Sequence, residues 1–290
     1  MRLPTILLAA HLAALLFGVA GLLIALPNPQ WWAGDPMARR AFDFGITYGG
    51  ATHIIFGAAA VFFLAWLVLG PRKTLIFFVV STGLSLGSEL IGTTTGWPFG
   101  NYAYTDFLGY KILGHVPYTI PLSWFYVGLT CYLLATTIVA ALGWRRGTLW
   151  SLVLGVWFVT AWDLVLDPAM AAPNLAVKFW EWHIEGPYFG MPLQNLAGWS
   201  ITGLTYMAVS RLLWRSDPPP ITDRAVASFL FIVYAANLGF AMALSGGAGL
   251  WQPIVLAIIV GLLPATLVFR QAGPRRPRPE RTPSRAVPAS

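Results

Sequence analysis

Cysteine and charged side chains are scarce in this sequence of 290 residues. It contains one cysteine, Cys131, and 10% charged residues, against 57% hydrophobic residues. A single cysteine excludes an internal disulfide framework and a cysteine metal site, and so few charges cannot cover a soluble surface. Several apolar stretches with almost no charge exceed the roughly 18 residues that cross a bilayer. The composition therefore predicts a membrane protein.

Eight apolar segments predict eight transmembrane helices in one bundle. Inside a bilayer the backbone must satisfy its own hydrogen bonds, and these segments lack the alternating pattern of barrel strands. We therefore predict an all-α, polytopic membrane domain over residues 1–270. The predicted spans are residues 3–26, 46–70, 74–92, 122–142, 149–167, 196–214, 225–244 and 250–270.

The distribution of lysine and arginine predicts the orientation, because these residues resist translocation. With the N-terminus in the cytoplasm, 14 of them lie on the cytoplasmic side and 4 on the outer side. We therefore expect a multi-pass protein of the cell membrane with both termini cytoplasmic. Residues 271–290 are rich in Pro and Arg, which predicts a disordered tail whose charges could hold anionic lipid headgroups. The net charge of +7 forms no groove-sized patch, so we expect no nucleic-acid partner.

Three carboxyl groups lie near the outer ends of predicted spans. Glu89 is close to the outer end of the third span, where a carboxyl group usually faces the bundle interior and takes part in proton transfer or substrate contact. The alternative is a role in helix packing, through hydrogen bonds to Ser, Thr or Tyr. Asp163 and Asp167 are four residues apart and share one face of the fifth span, which we expect to end at Pro168.

The two aspartates are typical of an acid that works at neutral pH. Two like carboxyl groups in low-dielectric surroundings keep a proton available between them. The alternative, capping of loop amides at a helix C-terminus, is weaker because acids there oppose the helix dipole. Both readings place Asp163 and Asp167 beside a long outer connection.

Two outer connections are long and rich in Trp, Tyr, Gly, Pro and polar residues, whereas the cytoplasmic loops are short. Aromatic faces stabilise poorly hydrated cations, carbocations included, although aromatic and acidic residues at this level could simply face headgroups and water. The four histidines form no HxxH or HxxxH pair, so we predict no metal. The substrate-binding candidates are Trp97, Tyr102, Tyr104, Asp106, Trp124, Trp162, Glu181, His183, Glu185, Asn195 and Trp199.

Three strings carry a resemblance to a known family. They are GSELIGTTTGWPFGNYAYTDFLGYKILGHVPYTIPLSWF, WDLVLDPAM and FWEWHIEGPYFGMPLQNLAGWSITG. They resemble the bacterial and archaeal membrane carotenoid 1,2-hydratases, over roughly residues 40–245. The resemblance implies cofactor-free addition of water across the terminal double bond of an acyclic carotenoid end, as in lycopene or γ-carotene. Other enzymes of the carotenoid pathway are partners by analogy alone.

Such a hydration needs a proton on the less substituted alkene carbon and capture of the tertiary cation by water. Because an unactivated alkene is a very weak base, the acid must be a neutral carboxyl group held in apolar surroundings. We expect Asp163 and Asp167 to donate the proton and Glu89 to position the water, with the reverse assignment left open. Two other functions remain: an end-group cyclase or isomerase that excludes water, and a non-enzymatic carrier of lipid or small solute.

Overall fold

The computed structural model describes residues 1–271 and confirms the all-α, polytopic bundle. Within these residues, seven helical segments are long and apolar enough to cross a membrane, and the sixth predicted span also forms a helix, of more polar composition. Gly21–Ala25 continues α1 as a π-helix, and Ala257–Leu262 joins α8 to α9 in one span. The helices are α1 Arg2–Ala20, α2 Pro36–Leu69, α3 Pro71–Thr95, α4 Thr119–Leu142, α5 Gly147–Met170, α6 Gln194–Trp214, α7 Arg224–Gly247, α8 Trp251–Leu256 and α9 Leu263–Gln271.

The predicted disordered tail, residues 271–290, lies outside the described residues except for Gln271, which ends α9. The second span differs most from the prediction, since α2 begins ten residues before the apolar run. Asp35 explains the early start, because its side chain accepts a hydrogen bond from the backbone N–H of Ala38 at 2.8 Å. Pro36 then occupies the first turn, where a missing N–H costs nothing.

The expectation that α5 ends at Pro168 was wrong, because the helix continues through this proline to Met170. A proline inside a helix leaves the carbonyl four residues earlier without its donor. That carbonyl belongs to Leu164, and the hydroxyl of Tyr188 donates to it at 3.1 Å. Burial raises the pKa of Tyr188 to about 12, so the hydroxyl keeps its proton. The side chain of Tyr188 thus replaces the lost backbone hydrogen bond, and the helix continues to Met170.

Helix α4 forms the middle of the bundle and packs against α2, α3, α5, α6 and α7. Its large side chains are fully buried, among them Trp124, Tyr126 and Tyr132. The approach of α6 is close at Gly128, where an added Cβ would lie 2.1 Å from the hydroxyl of Tyr206. Around this centre, α1 packs on α2 and α7, and α3 packs on α6.

The two long connections, residues 96–118 and 171–193, meet at one end of the bundle, which we call the loop end. Strand β1 (Tyr102–Tyr104) of the first connection pairs antiparallel with β4 (Trp180–Trp182) of the second, and β2 (Lys111–Ile112) pairs with β3 (Val116–Pro117). Alternate side chains of a strand face opposite sides. Accordingly Tyr102 and Trp180 are buried beneath the β1–β4 pair, while Glu181 is exposed.

Candidate active site

A cavity of about 710 Å³ lies beneath the β1–β4 pair at the loop end of the bundle. Helices α2 to α7 and both strands contribute to its wall, so it forms only when the two long connections come together. We call it the acid cavity. Eight residues predicted from the sequence line it: Glu89, Tyr102, Tyr104, Trp124, Trp162, Asp167, Asn195 and Trp199.

Glu89 extends from α3 into the acid cavity and is 3% exposed. The hydroxyls of Tyr102 and Tyr104 donate to its Oε2, the latter at 2.9 Å, and the indole Nε1 of Trp124 donates to Oε1 at 2.9 Å. Burial first, and then the charge of Glu89, raise the pKa of both tyrosines well above the usual tyrosine range, so they remain donors. Three donors on two oxygens match an ionised carboxylate that accepts hydrogen bonds.

Asp163 and Asp167 are both buried on the face of α5 that meets the first turn of α6. One amide nitrogen, Nδ2 of Asn195, donates to Oδ2 of Asp163 at 3.0 Å and to Oδ2 of Asp167 at 2.5 Å. The same nitrogen lies 3.1 Å from the sulfur of Met191. Asp167 lines the cavity, and Asp163 lies one turn earlier on the same face.

Few hydrogen-bond donors and no ion pair among the described residues compensate for negative charge on the two aspartates. Oδ1 of Asp163 is buried and has no hydrogen-bond partner within residues 1–271. None of the ion pairs found in this part of the chain, such as that between Arg211 and Asp217, includes either aspartate. An amide group has two hydrogens to donate and no charge, and an uncompensated buried ion is costly. The arrangement suits a pair that retains a proton.

Tryptophan rings form the wall between the two acidic groups. Trp124 and Trp199 stack with their ring centroids 4.0 Å apart, and Trp162 meets Trp199 edge to face at 5.7 Å. Trp124 also donates to Glu89, while Trp199 lies beside Asp167. A cation formed in the cavity would therefore meet aromatic faces as well as carboxylate oxygens.

Five predicted binding residues lie outside the acid cavity, on the exposed surface of the loop end. Asp106 pairs with Lys111 at 2.7 Å, and Glu181 pairs with Lys178 at 3.6 Å. Their role in substrate binding remains a prediction, and none of them lines the acid cavity. Within residues 1–271, no three His, Cys, Asp or Glu side chains are grouped as ligands for a metal ion. The five residues are Trp97, Asp106, Glu181, His183 and Glu185.

Several residues that line the acid cavity were not among the predicted binding residues. The alternation of β4 could have indicated Trp180 and Trp182, which flank Glu181 and face the opposite side of the strand. The apolar helices gave no comparable signal for His53 and Asn237.

These helical residues belong to a buried polar network that crosses the bundle. The hydroxyl of Tyr126 donates to Oδ1 of Asn237 at 2.6 Å, and Nδ2 of Asn237 donates to the carbonyl of Val233 at 2.8 Å. The same nitrogen lies 3.1 Å from Nε2 of His11, whose Nδ1 lies 2.7 Å from the carbonyl of His53. Because a carbonyl only accepts, Nδ1 of His11 carries the proton and Nε2 accepts from Asn237. The network fixes the contacts among α1, α2, α4 and α7.

Comparison with known proteins identifies the family. Residues 49–264 match the family described as carotenoid biosynthesis protein. Over 191 residues the chain is 31% identical to bisanhydrobacterioruberin hydratase of Haloarcula japonica, which aligns 66% of this chain with 60% of that protein. The match thus spans less than two thirds of the length of that relative. No solved structure matches the chain. The family match includes both acid-bearing helices and both long connections, and this multi-pass membrane protein belongs to the carotenoid biosynthesis protein family.

Proposed function

We propose that this protein is a carotenoid hydratase that adds water, without a cofactor, to the terminal 1,2 double bond of an acyclic carotenoid end. The observation that carries the proposal is a pair of buried aspartates, held by one amide, at the wall of an aromatic cavity. The family and the hydratase named among its relatives support the same reaction.

The first step is proton transfer from Asp167 to the alkene. Asp167 lines the acid cavity, and Asp163 shares the amide of Asn195 with it. The O–H bond of the carboxyl group breaks, and the π electrons of the alkene form a C–H bond at the less substituted carbon. The adjacent carbon becomes a tertiary cation. Apolar walls keep the acid neutral until the substrate is in place.

The second step is capture of the cation by water. Glu89 is held as an acceptor by three donors, so it can orient a water molecule and take the proton that this water loses. The new C–O bond gives a tertiary alcohol. Return of that proton to the aspartate pair through solvent restores the starting state. Trp124, Trp162 and Trp199 stabilise the cation between the two steps.

Mass analysis of carotenoids from a lycopene-producing host tests the reaction. Hydration adds one water per reacted end, and Asp167→Asn or Asp163→Asn should lower the yield by about 100-fold or more, the range expected for a lost general acid. Asp43→Asn removes an exposed carboxyl group of α2 that lines neither of the two acidic parts of the site and should leave the yield unchanged. Wild-type yields from both the Asp163 and the Asp167 variants would refute the assignment.

Deuterium separates the proposed roles of the carboxyl groups. In D2O, a Glu89→Gln variant that still protonates the alkene should place deuterium in unhydrated carotenoid. The reverse assignment predicts neither hydration nor exchange from this variant.

A product of unchanged mass from the wild-type protein would instead indicate a cyclase or isomerase. Substrate-dependent proton flux in liposomes without any product would indicate a carrier.

We further propose that both termini are cytoplasmic and that the loop end faces the outside of the cell membrane, as the lysine and arginine distribution predicts. Cys131 is buried, so an introduced cysteine can be labelled against a low background. Asp106→Cys should react with an impermeant maleimide in intact cells. Arg145→Cys, exposed at the opposite end, should react only after permeabilisation. The opposite pattern would reverse the orientation.

A further inference from the structure

A second cavity, of about 610 Å³, lies between α1 and α2 beneath the connections of the loop end. Five glycines, three of them on α2, contribute to its wall, and the other lining side chains are apolar except for His53. We call it the glycine cavity. Nδ1 of His53 lies 3.3 Å from the carbonyl of Gly49, so this nitrogen is engaged within its own helix. The glycine cavity thus has almost nothing to offer a polar ligand.

The glycine cavity adjoins the acid cavity. His53, Met170 and Phe240 line both of them, so their walls meet along these three side chains. One cavity contains the carboxyl groups and the other is apolar. The acid cavity and the glycine cavity are therefore adjoining spaces of similar size.

We propose that the glycine cavity binds the long polyene chain of the substrate while the end group reacts in the acid cavity. This inference rests on the proposed function, because it assigns a place to the rest of that substrate. A conjugated polyene is long, stiff and free of hydrogen-bonding groups, which matches a wall of glycines and apolar side chains. Glycine removes side-chain volume from the facing helices and so makes room for such a chain.

Gly49 offers a way to fill the cavity without disturbing the fold. Phe42, Ile46, Gly49 and His53 recur at spacings of three and four residues on the face of α2 that lines the glycine cavity. A Cβ added at Gly49 would meet no heavy atom within 4 Å. A larger side chain there would therefore enter the cavity, and it would also favour the helix over glycine.

Binding of lycopene to the purified protein in detergent tests the proposal, read as quenching of tryptophan fluorescence by the polyene. Gly49→Leu should weaken binding by about ten-fold or more, because its side chain would fill space that the polyene needs. Gly49→Ala adds a smaller side chain and should weaken binding less. Gly83→Leu is the matched control, since Gly83 lies on an exposed face of α3 with no heavy atom within 4 Å of an added Cβ. It should bind like the wild type.

Thermal unfolding in the same detergent shows whether each variant folds. If Gly49→Leu does not fold, Gly21→Leu serves in its place, because Gly21 lines the same cavity and is equally open. A folded variant with wild-type affinity would overturn the inference. Failure of the proposed function is a separate result: the wild-type protein would bind lycopene at the glycine cavity and form no hydrated product.

Discussion

The indole rings of Trp124 and Trp199 stack with their centroids 4.0 Å apart and an angle of 28° between their planes. Trp124 comes from α4 and donates its N–H to Glu89, while Trp199 comes from α6 and lies beside Asp167. The stacked pair therefore joins the two acidic parts of the acid cavity. It keeps the carboxylate and the aspartate pair around one volume while providing an aromatic surface between them.

Trp199→Leu should slow the reaction more than it destabilises the protein. A desolvated cation over a tryptophan face gains about 2 kcal/mol, so its loss should lower kcat by roughly 30-fold. Trp199→Phe retains an aromatic face and should lose less. Turnover and thermal unfolding of the purified variants measure the two effects. Trp251→Leu, at a site that is 64% exposed, is the control and should behave as the wild type. Equal turnover of the Leu and Phe variants at position 199 would contradict a role for the aromatic face.

Asn195→Leu should abolish the shared donor of the two aspartates with little change in side-chain volume. Hydrogen bonds to charged groups contribute about 1.5–3 kcal/mol, so we expect a loss of turnover of roughly ten- to hundred-fold. Asn101→Leu, an exposed position on the same surface as His183, is the matched control. Normal turnover of Asn195→Leu would show that the aspartates need no common donor.

The bundle and the common depth of its carboxyl groups could be predicted from the sequence. Helices α3 and α5 end, and α4 and α6 begin, at the same end of the bundle, so Glu89, Asp163 and Asp167 were expected at a similar depth. Apolar length alone establishes this order of spans. What brought Glu89 and Asp167 into one cavity was the packing of α4 between α3 and α5. A pattern of apolar residues does not specify that arrangement.

The features that the sequence did not predict arise from contacts between residues far apart in the chain. Pro168 was predicted to end α5, because proline usually ends a helix. The helix continues because the hydroxyl of Tyr188, twenty residues later, donates to the carbonyl of Leu164 that the proline leaves without a donor. Pairing of β4 with β1 turns Glu181 outward and Trp180 inward, so Glu181 lies outside the acid cavity and its role in substrate binding stays a prediction. Short strands formed by two loops carry too weak a local signal to be predicted.

Trp180→Ala should be far more damaging than Glu181→Ala although the residues are neighbours. Trp180 is 6% exposed and lines the acid cavity, so its truncation should cost about 3 kcal/mol of stability and impair turnover. Glu181 forms an ion pair with Lys178 at the surface, so its loss should cost less than about 1 kcal/mol. Thermal unfolding and product yield measure both variants. Similar effects of the two substitutions would contradict the register of the strand pair.

Tyr188→Phe should destabilise the protein only because Pro168 is present. The hydroxyl of Tyr188 donates to the carbonyl of Leu164, and removal of such a hydrogen bond costs about 1 kcal/mol. In a Pro168→Ala background, the N–H of residue 168 becomes available to the same carbonyl, so Tyr188→Phe should cost much less. The double-mutant cycle, measured by thermal unfolding of the wild type, both single variants and the double variant, gives the coupling directly. A cost of Tyr188→Phe that is the same in both backgrounds would mean that the tyrosine stabilises the loop end by another contact.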